Sequence, residues 1–234
     1  MEQVTEPTFS PIMHEEPSVI ASFEKGWKLL WGNFGTILLV WLVSTLISVG
    51  IGLVFGFLQE GGSIGSSVFW NIASFVFYFF IAYPVQIGVL YFTVRIARGD
   101  NAELKDIFEV FNHYGSALLM MILLGLIIGV GFLLLIIPGI ILGIRLYYTP
   151  FVLMEQRLGA VDALKASWEM TRGHGGQIFL MYLLAIPIAI GGMIAMIIGI
   201  IPASLWIMLA FAVFYTQINP RAHVPADEYP PITV

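Results

Sequence analysis

Four stretches of this chain carry no charged side chain: Leu29–Gln59, Gly61–Val94, Tyr114–Ile144 and Gly173–Pro220. A helix that crosses a bilayer needs roughly 20 apolar residues, and each stretch exceeds that. The core helices of a soluble domain keep a polar stripe, which these stretches lack. The first two each predict one span, at about 34–58 and 68–96, separated by the polar turn Gly61 to Ser67. From Tyr114 to Met154 there is a single charge, Arg145. That length suits two spans, and the break is expected at Pro138-Gly139, where proline removes a helical N–H and glycine permits a tight turn. The last stretch also holds two spans. Its break is expected at Gly199–Pro202, with Pro187 kinking the helix before it. The prediction is an all-α chain with spans at about 34–58, 68–96, 114–137, 138–154, 177–198 and 203–218.

Short amphipathic segments precede the odd-numbered spans. Ile20, Phe23, Trp27, Leu30 and Trp31 share one helical face, opposite Glu24 and Lys28. Leu104, Ile107, Phe108 and Phe111 follow helical spacing opposite Lys105, Asp106 and Glu109, and Val161, Leu164 and Trp168 do so opposite Asp162, Lys165 and Glu169. Such helices lie in the membrane interface with the apolar face down. Each leads into a similar junction: Gly32-Asn33-Phe34-Gly35, Asn112-His113-Tyr114-Gly115 and Gly173-His174-Gly175-Gly176. The chain therefore reads as three repeats of interfacial helix plus transmembrane hairpin, spanning residues 18–220. A coincidental run of amphipathic linkers is the simpler alternative. Gly52-x-x-x-Gly56 and Gly125-x-x-x-Gly129 are candidate close-packing faces.

Charge orients this arrangement. The chain has 15 acidic and 10 basic residues, and charged residues make up only 11% of it, against about a quarter in soluble domains. Lys25 and Lys28 precede the first span; Arg95, Arg98 and Lys105 follow the second. Arg157, Lys165 and Arg172 follow the fourth, and Arg221 follows the sixth. The connections after the odd spans contain no lysine or arginine. By the positive-inside rule both termini are cytoplasmic. The net charge of −5 comes largely from the tails, 1–17 and 221–234, which are expected to be disordered. The chain opens on acidic residues, so no cleavable targeting segment is expected. There is no basic cluster of the nucleic-acid-binding kind, and no cysteine for thiolate metal sites.

Candidate chemistry is sparse. No HExxH, Gly-x-Ser-x-Gly or P-loop occurs, and no two carboxylates come together within the spans. No catalytic residue, metal site or cofactor is expected, and the chain is not read as an enzyme. His113 and His174 occupy equivalent repeat positions, but the first repeat has Asn33 there, against a shared metal or proton site. Arg145 stands near the middle of the fourth span, where a charge costs roughly 3 kcal/mol on insertion scales. Two readings of it stay open. It holds an anionic group such as a phospholipid head, with Gln86 and Tyr148 completing the site, or it clamps helices together or snorkels to an interface. Pro84, Pro150 and Pro220 sit beside Tyr83, Tyr147/Tyr148 and Tyr215, as routine helix-end and interface residues do.

From Ile137 to Gly173 the chain resembles the YciC-type bacterial integral membrane proteins of unknown function, and the membrane domain attached to some glycerophosphoryl diester phosphodiesterases. The resemblance rests on Pro138, Gly139, Arg145, Pro150, Ala163, Leu164, Ser167, Trp168 and Gly173. It implies a six-span protein of the bacterial inner membrane, with membrane lipids as partners; no phosphodiesterase domain is present in this sequence. Two functions follow as expectations: transport or lipid and anion handling around Arg145, or a non-catalytic scaffold or assembly factor acting through the interfacial helices. Oligomeric state and protein partners stay open.

Overall fold

A computed structural model describes residues 16–59 and 64–219. The tails, apart from Glu16 and Pro17, and residues 60–63 of the first turn lie outside the described residues. Helix α1 (Val19–Gly32) starts at Ser18, whose Oγ accepts the Ala21 N–H at 3.3 Å. Then come α2 (Phe34–Gln59), α3 (Ile64–Phe77), a π-helical turn (Tyr78–Ala82) and α4 (Tyr83–Arg98). A 3₁₀ helix (Leu104–His113) leads into α5 (Tyr114–Leu134), α6 (Ile136–Leu146) and α7 (Thr149–Gln156). The chain continues as α8 (Ala160–Met170), α9 (Gly175–Ile194) and α10 (Met196–Ile218). The described residues contain no strand, and six helical segments are long and apolar enough to cross a bilayer, the architecture of a multi-pass membrane protein.

The even spans form the interior. In their apolar stretches 33%, 39% and 50% of residues are buried, against 17%, 22% and 17% in the odd spans. Phe92, Phe151, Phe214, Tyr148 and Tyr215, from α4, α6–α7 and α10, are all but inaccessible. Outward positions of α2, α5 and α9, such as Leu53, Leu126 and Ile186, are exposed apolar side chains, as a lipid-facing surface requires.

Both hairpin breaks differ from the expected positions. The α5–α6 chain reverses at Leu135 (φ −166°, ψ 150°), three residues before Pro138. Pro138 falls in the first turn of α6, where its missing N–H would have had no helical partner in any case. The α9–α10 turn comes at Ala195, and Pro202 is inside α10. Glycines rather than prolines mark these turns. A Cβ on Gly131 would stand 3.1 Å from the Gly139 Cα, and one on Gly192 would stand 2.9 Å from the Gly199 oxygen. By contrast, Cβ atoms on Gly52, Gly56, Gly125 and Gly129 would meet nothing within 4 Å. Those two expected packing faces are open.

The amphipathic segments also pack differently from the expectation of helices lying flat on the membrane. Helix α1 runs antiparallel along the second half of α10. The Ser18 N–H donates to Gln217 Oε1 at 2.9 Å, Trp206 Nε1–H donates to the Phe23 carbonyl at 2.7 Å, and a Cβ on Gly26 would stand 2.9 Å from the Ala210 nitrogen. Its buried line is Val19, Ser22, Phe23, Gly26 and Leu30, which leaves Ile20, Trp27 and Trp31 exposed. The second segment is a 3₁₀ helix with three residues per turn, so Ile107 and Val110 turn inward while Phe108 and Phe111 stay exposed. It lies against α4 so closely that a Cβ on Gly88 would run into the Ile107 carbonyl. In the third, Ala160, Ala163, Leu164 and Ser167 are buried, and Val161 and Trp168 are exposed.

The three junction residues share a backbone conformation: Asn33 (φ −126°, ψ 23°), His113 (φ −122°, ψ 31°) and His174 (φ −105°, ψ 4°). Residue 17, assigned to the tail on sequence, is engaged, since its carbonyl accepts from Gln177 Nε2 at 2.8 Å.

Candidate functional site at the break in the fourth span

The fourth span is two helices. Residues Tyr147 and Tyr148 interrupt it between α6 and α7, and Pro150 sits in the first turn of α7. An interruption frees backbone carbonyls that need new donors. Hydroxyls supply them. Thr149 Oγ1–H donates to the Leu146 carbonyl at 2.8 Å. The Arg145 carbonyl accepts from Ser167 Oγ–H at 3.0 Å; Thr171 Oγ1 lies at the same distance from it but has the Ser167 carbonyl closer, at 2.8 Å, for its single proton. Ser167 thus fastens α8 to the end of α6. The same logic operates at Pro84, which cannot donate to Phe80 one turn back; the Tyr114 hydroxyl donates to the Phe80 carbonyl at 2.8 Å instead.

The Arg145 side chain reaches α8. Its guanidinium carbon lies 5.3 Å from the centre of the Trp168 ring, a cation–π arrangement. Its Nη1 is buried without a hydrogen-bond partner. Three other buried side-chain atoms among the described residues share that condition: the Tyr148 hydroxyl, His174 Nδ1 and Gln177 Oε1. All four belong to two short segments, 145–148 and 174–177. Thr171, whose Oγ1 lies 3.0 Å from the Arg145 carbonyl and whose own carbonyl accepts the His174 N–H at 3.1 Å, connects the backbones of those segments. Native interiors leave few buried polar groups unpaired; the Tyr148 ring lies among Tyr147, Phe151 and Tyr215, and Gln177 reaches the Pro17 carbonyl, whereas the Arg145 side chain faces Trp168.

Gln86 is elsewhere. Its Nε2–H donates to Ser48 Oγ at 3.4 Å, tying α4 to α2. The structure therefore brings Ser167 and Trp168 to Arg145 and leaves Gln86 outside that contact; Tyr148 turns to Tyr215 and Phe151 instead. The sequence places His174 at a repeat junction without relating it to Arg145, and a hairpin of packing separates the two in the chain. Pro138 and Gly139 lie at the far end of α6, in the turn.

A second polar cluster was invisible in the sequence. Arg98 donates from Nε and Nη2 to Glu155 at 2.7 and 3.1 Å, and from Nη2 to the Asn219 carbonyl at 2.9 Å. The Tyr215 hydroxyl donates to Glu155 at 2.5 Å and accepts from Asn219 Nδ2–H at 2.9 Å. Arg98 and Glu155 are each 9% exposed, and every charge is matched, so this cluster joins the ends of α4, α7 and α10. Arg95 with Asp106 (2.7 Å) and Arg157 with Glu109 (3.0 Å) bind the 3₁₀ helix to the same end. Among the described residues no group of three or more His, Asp or Glu side chains could hold a metal ion. No family model, curated protein or solved structure matches the chain.

Proposed function

We propose that this chain is a non-enzymatic protein of the bacterial inner membrane, of the YciC type, which holds the head of an anionic lipid at the break in its fourth span. Arg145 is the cation of the site. Its side chain is partly exposed, Trp168 lies against the guanidinium, and His174 is joined to it through Thr171. The observation that carries this reading is the buried, unpartnered Nη1 of Arg145. An arginine used purely as a clamp would spend its donors on protein carbonyls, as Arg98 does. Both termini are cytoplasmic by the distribution of lysine and arginine, which sets Arg145 towards the cytoplasmic leaflet, where anionic lipid headgroups attract cations.

In the same proposal the chain is a threefold repeat. Three features support it: the shared conformation of Asn33, His113 and His174, the alternation of exposed odd and buried even spans, and the packing of each amphipathic segment on an even span. The rival reading, a scaffold acting through its amphipathic helices, would have to use their outer faces, where Trp27, Trp31, Phe108 and Trp168 are exposed. Their inner faces are already packed within the fold.

Native mass spectrometry after mild delipidation tests the lipid site. Wild-type protein is expected to retain phosphatidylglycerol in preference to phosphatidylcholine, Arg145→Lys to retain less, and Arg145→Ala to lose the preference. Equal retention by wild type and Arg145→Ala would remove the basis for the site.

A further inference from the structure

Helices α1 and α9 both pack on α10. They are tied at their starts, where Gln177 Nε2–H donates to the Pro17 carbonyl at 2.8 Å. Further along, a groove of about 500 Å³ opens between them, within the size range of ligand sites. Phe23, Glu24 and Trp27 line it from α1, Leu184, Pro187 and Ile188 from α9, and Trp206 from α10. Trp206 is fixed in place by its bond to the Phe23 carbonyl. Its ring centre stands 4.8 Å from that of Trp27 and 6.0 Å from that of Phe23. Aromatic faces carry the negative side of the ring quadrupole and attract cations. Glu24 is the charged residue among the lining side chains, so the groove is apolar along its length and attractive to positive charge at one point.

The charges on α1 are arranged unusually. Glu24 and Lys28 have the spacing and order that favour a helical ion pair, Glu four residues before Lys. Both side chains are exposed, yet among the described residues neither forms an ion pair. Two opposite charges one helical turn apart are therefore left for an outside partner, and the partner that matches them is a zwitterion. Their order also fits. Helix α1 runs from the end of α10 towards its middle, which sets Glu24 further out than Lys28. In a phospholipid head the ammonium likewise stands outside the phosphate. Charged side chains at a lipid-facing surface stay at headgroup level, and Trp27 beside them has the chemistry of an interfacial residue.

We propose that this groove holds phosphatidylethanolamine, with the primary ammonium on Glu24 beside the Trp27 ring, the phosphate on Lys28, and an acyl chain along Leu184, Pro187 and Ile188. A primary ammonium donates N–H bonds to the carboxylate, which the quaternary ammonium of phosphatidylcholine cannot do. The site is formed by α1, α9 and α10, and it does not depend on Arg145.

Native mass spectrometry after mild delipidation, from equimolar phosphatidylethanolamine and phosphatidylcholine with identical acyl chains, tests the proposal. Wild-type protein is expected to retain phosphatidylethanolamine about tenfold over phosphatidylcholine. Glu24→Gln is expected to abolish the preference, and Lys28→Gln to lower retention of both lipids, since both carry the phosphate. Lys25→Gln, on α1 but outside the groove, is expected to match wild type. Arg145→Ala is expected to keep this preference while losing that for phosphatidylglycerol, so the two sites fail separately. Equal retention of the two lipids by wild-type protein would overturn the proposal, and so would a preference that survives Glu24→Gln.

Discussion

At the scale of single residues, two arginines near the same end of the molecule have opposite fates. Arg98 spends its donors on Glu155 and Asn219, and Tyr215 completes the shell around the carboxylate. Breaking a buried ion pair from one side leaves an uncompensated charge, at a cost of about 3–5 kcal/mol. Glu155→Gln is therefore expected to lower thermal stability in detergent markedly, and Arg98→Met combined with Glu155→Gln to recover part of the loss. Arg145 keeps Nη1 unpartnered beside Trp168, and the proposed headgroup site rests on that contrast. The sequence set Arg145 apart as the lone charge inside a span and placed Arg98 among the residues that follow one, but it gave the partners of neither. Their partners lie far along the chain (57 residues from Arg98 to Glu155), and no local pattern links them. Ser167 was legible only as part of a recurring motif. Its reason is the free carbonyl left where α6 stops.

At the scale of elements, the periodicity of the amphipathic segments was readable and their partners were not. Helical spacing picks out one apolar face, but Ile20, Trp27 and Trp31 remain exposed while Ser22 and Gly26 go inward. The difference comes from α10, whose backbone approaches α1 at Gly26 too closely for a larger residue. In the second segment, 3.6- and 3.0-residue periods agree at Leu104 and Ile107 and diverge afterwards, so the choice between Phe108 and Val110 needed the structure. The docking of α1 along α10 predicts a disulfide in the cysteine-free chain. Ser18→Cys with Gln217→Cys should crosslink efficiently under mild oxidation, whereas Ser18→Cys with Ile201→Cys should not, and gel mobility after protease cleavage reads the outcome. An α1 lying flat on the membrane away from α10 would give neither bond.

For the whole molecule, apolar run lengths were enough to count six membrane-length segments, because that count depends only on composition over long windows. The positions of the turns were less legible. Proline suggested Pro138 and Gly199–Pro202, yet the chain reverses at Leu135 and Ala195, where paired glycines let the hairpin arms touch. The arrangement of even spans inside and odd spans outside could not be read from hydropathy, since all six are apolar all round. It is the packing of aromatic residues from α4, α7 and α10, together with the charged cluster at their ends, that makes the even spans the interior.

The central claim is that an anionic headgroup meets Arg145. Its most direct test is a solid-state NMR dephasing measurement between guanidinium nitrogens and lipid phosphorus, on arginine-labelled protein in phosphatidylglycerol bilayers. The account predicts a dephasing signal that corresponds to hydrogen-bonding reach and disappears in Arg145→Lys. A signal unchanged by that substitution, or no close nitrogen–phosphorus pair in the wild type, would contradict it.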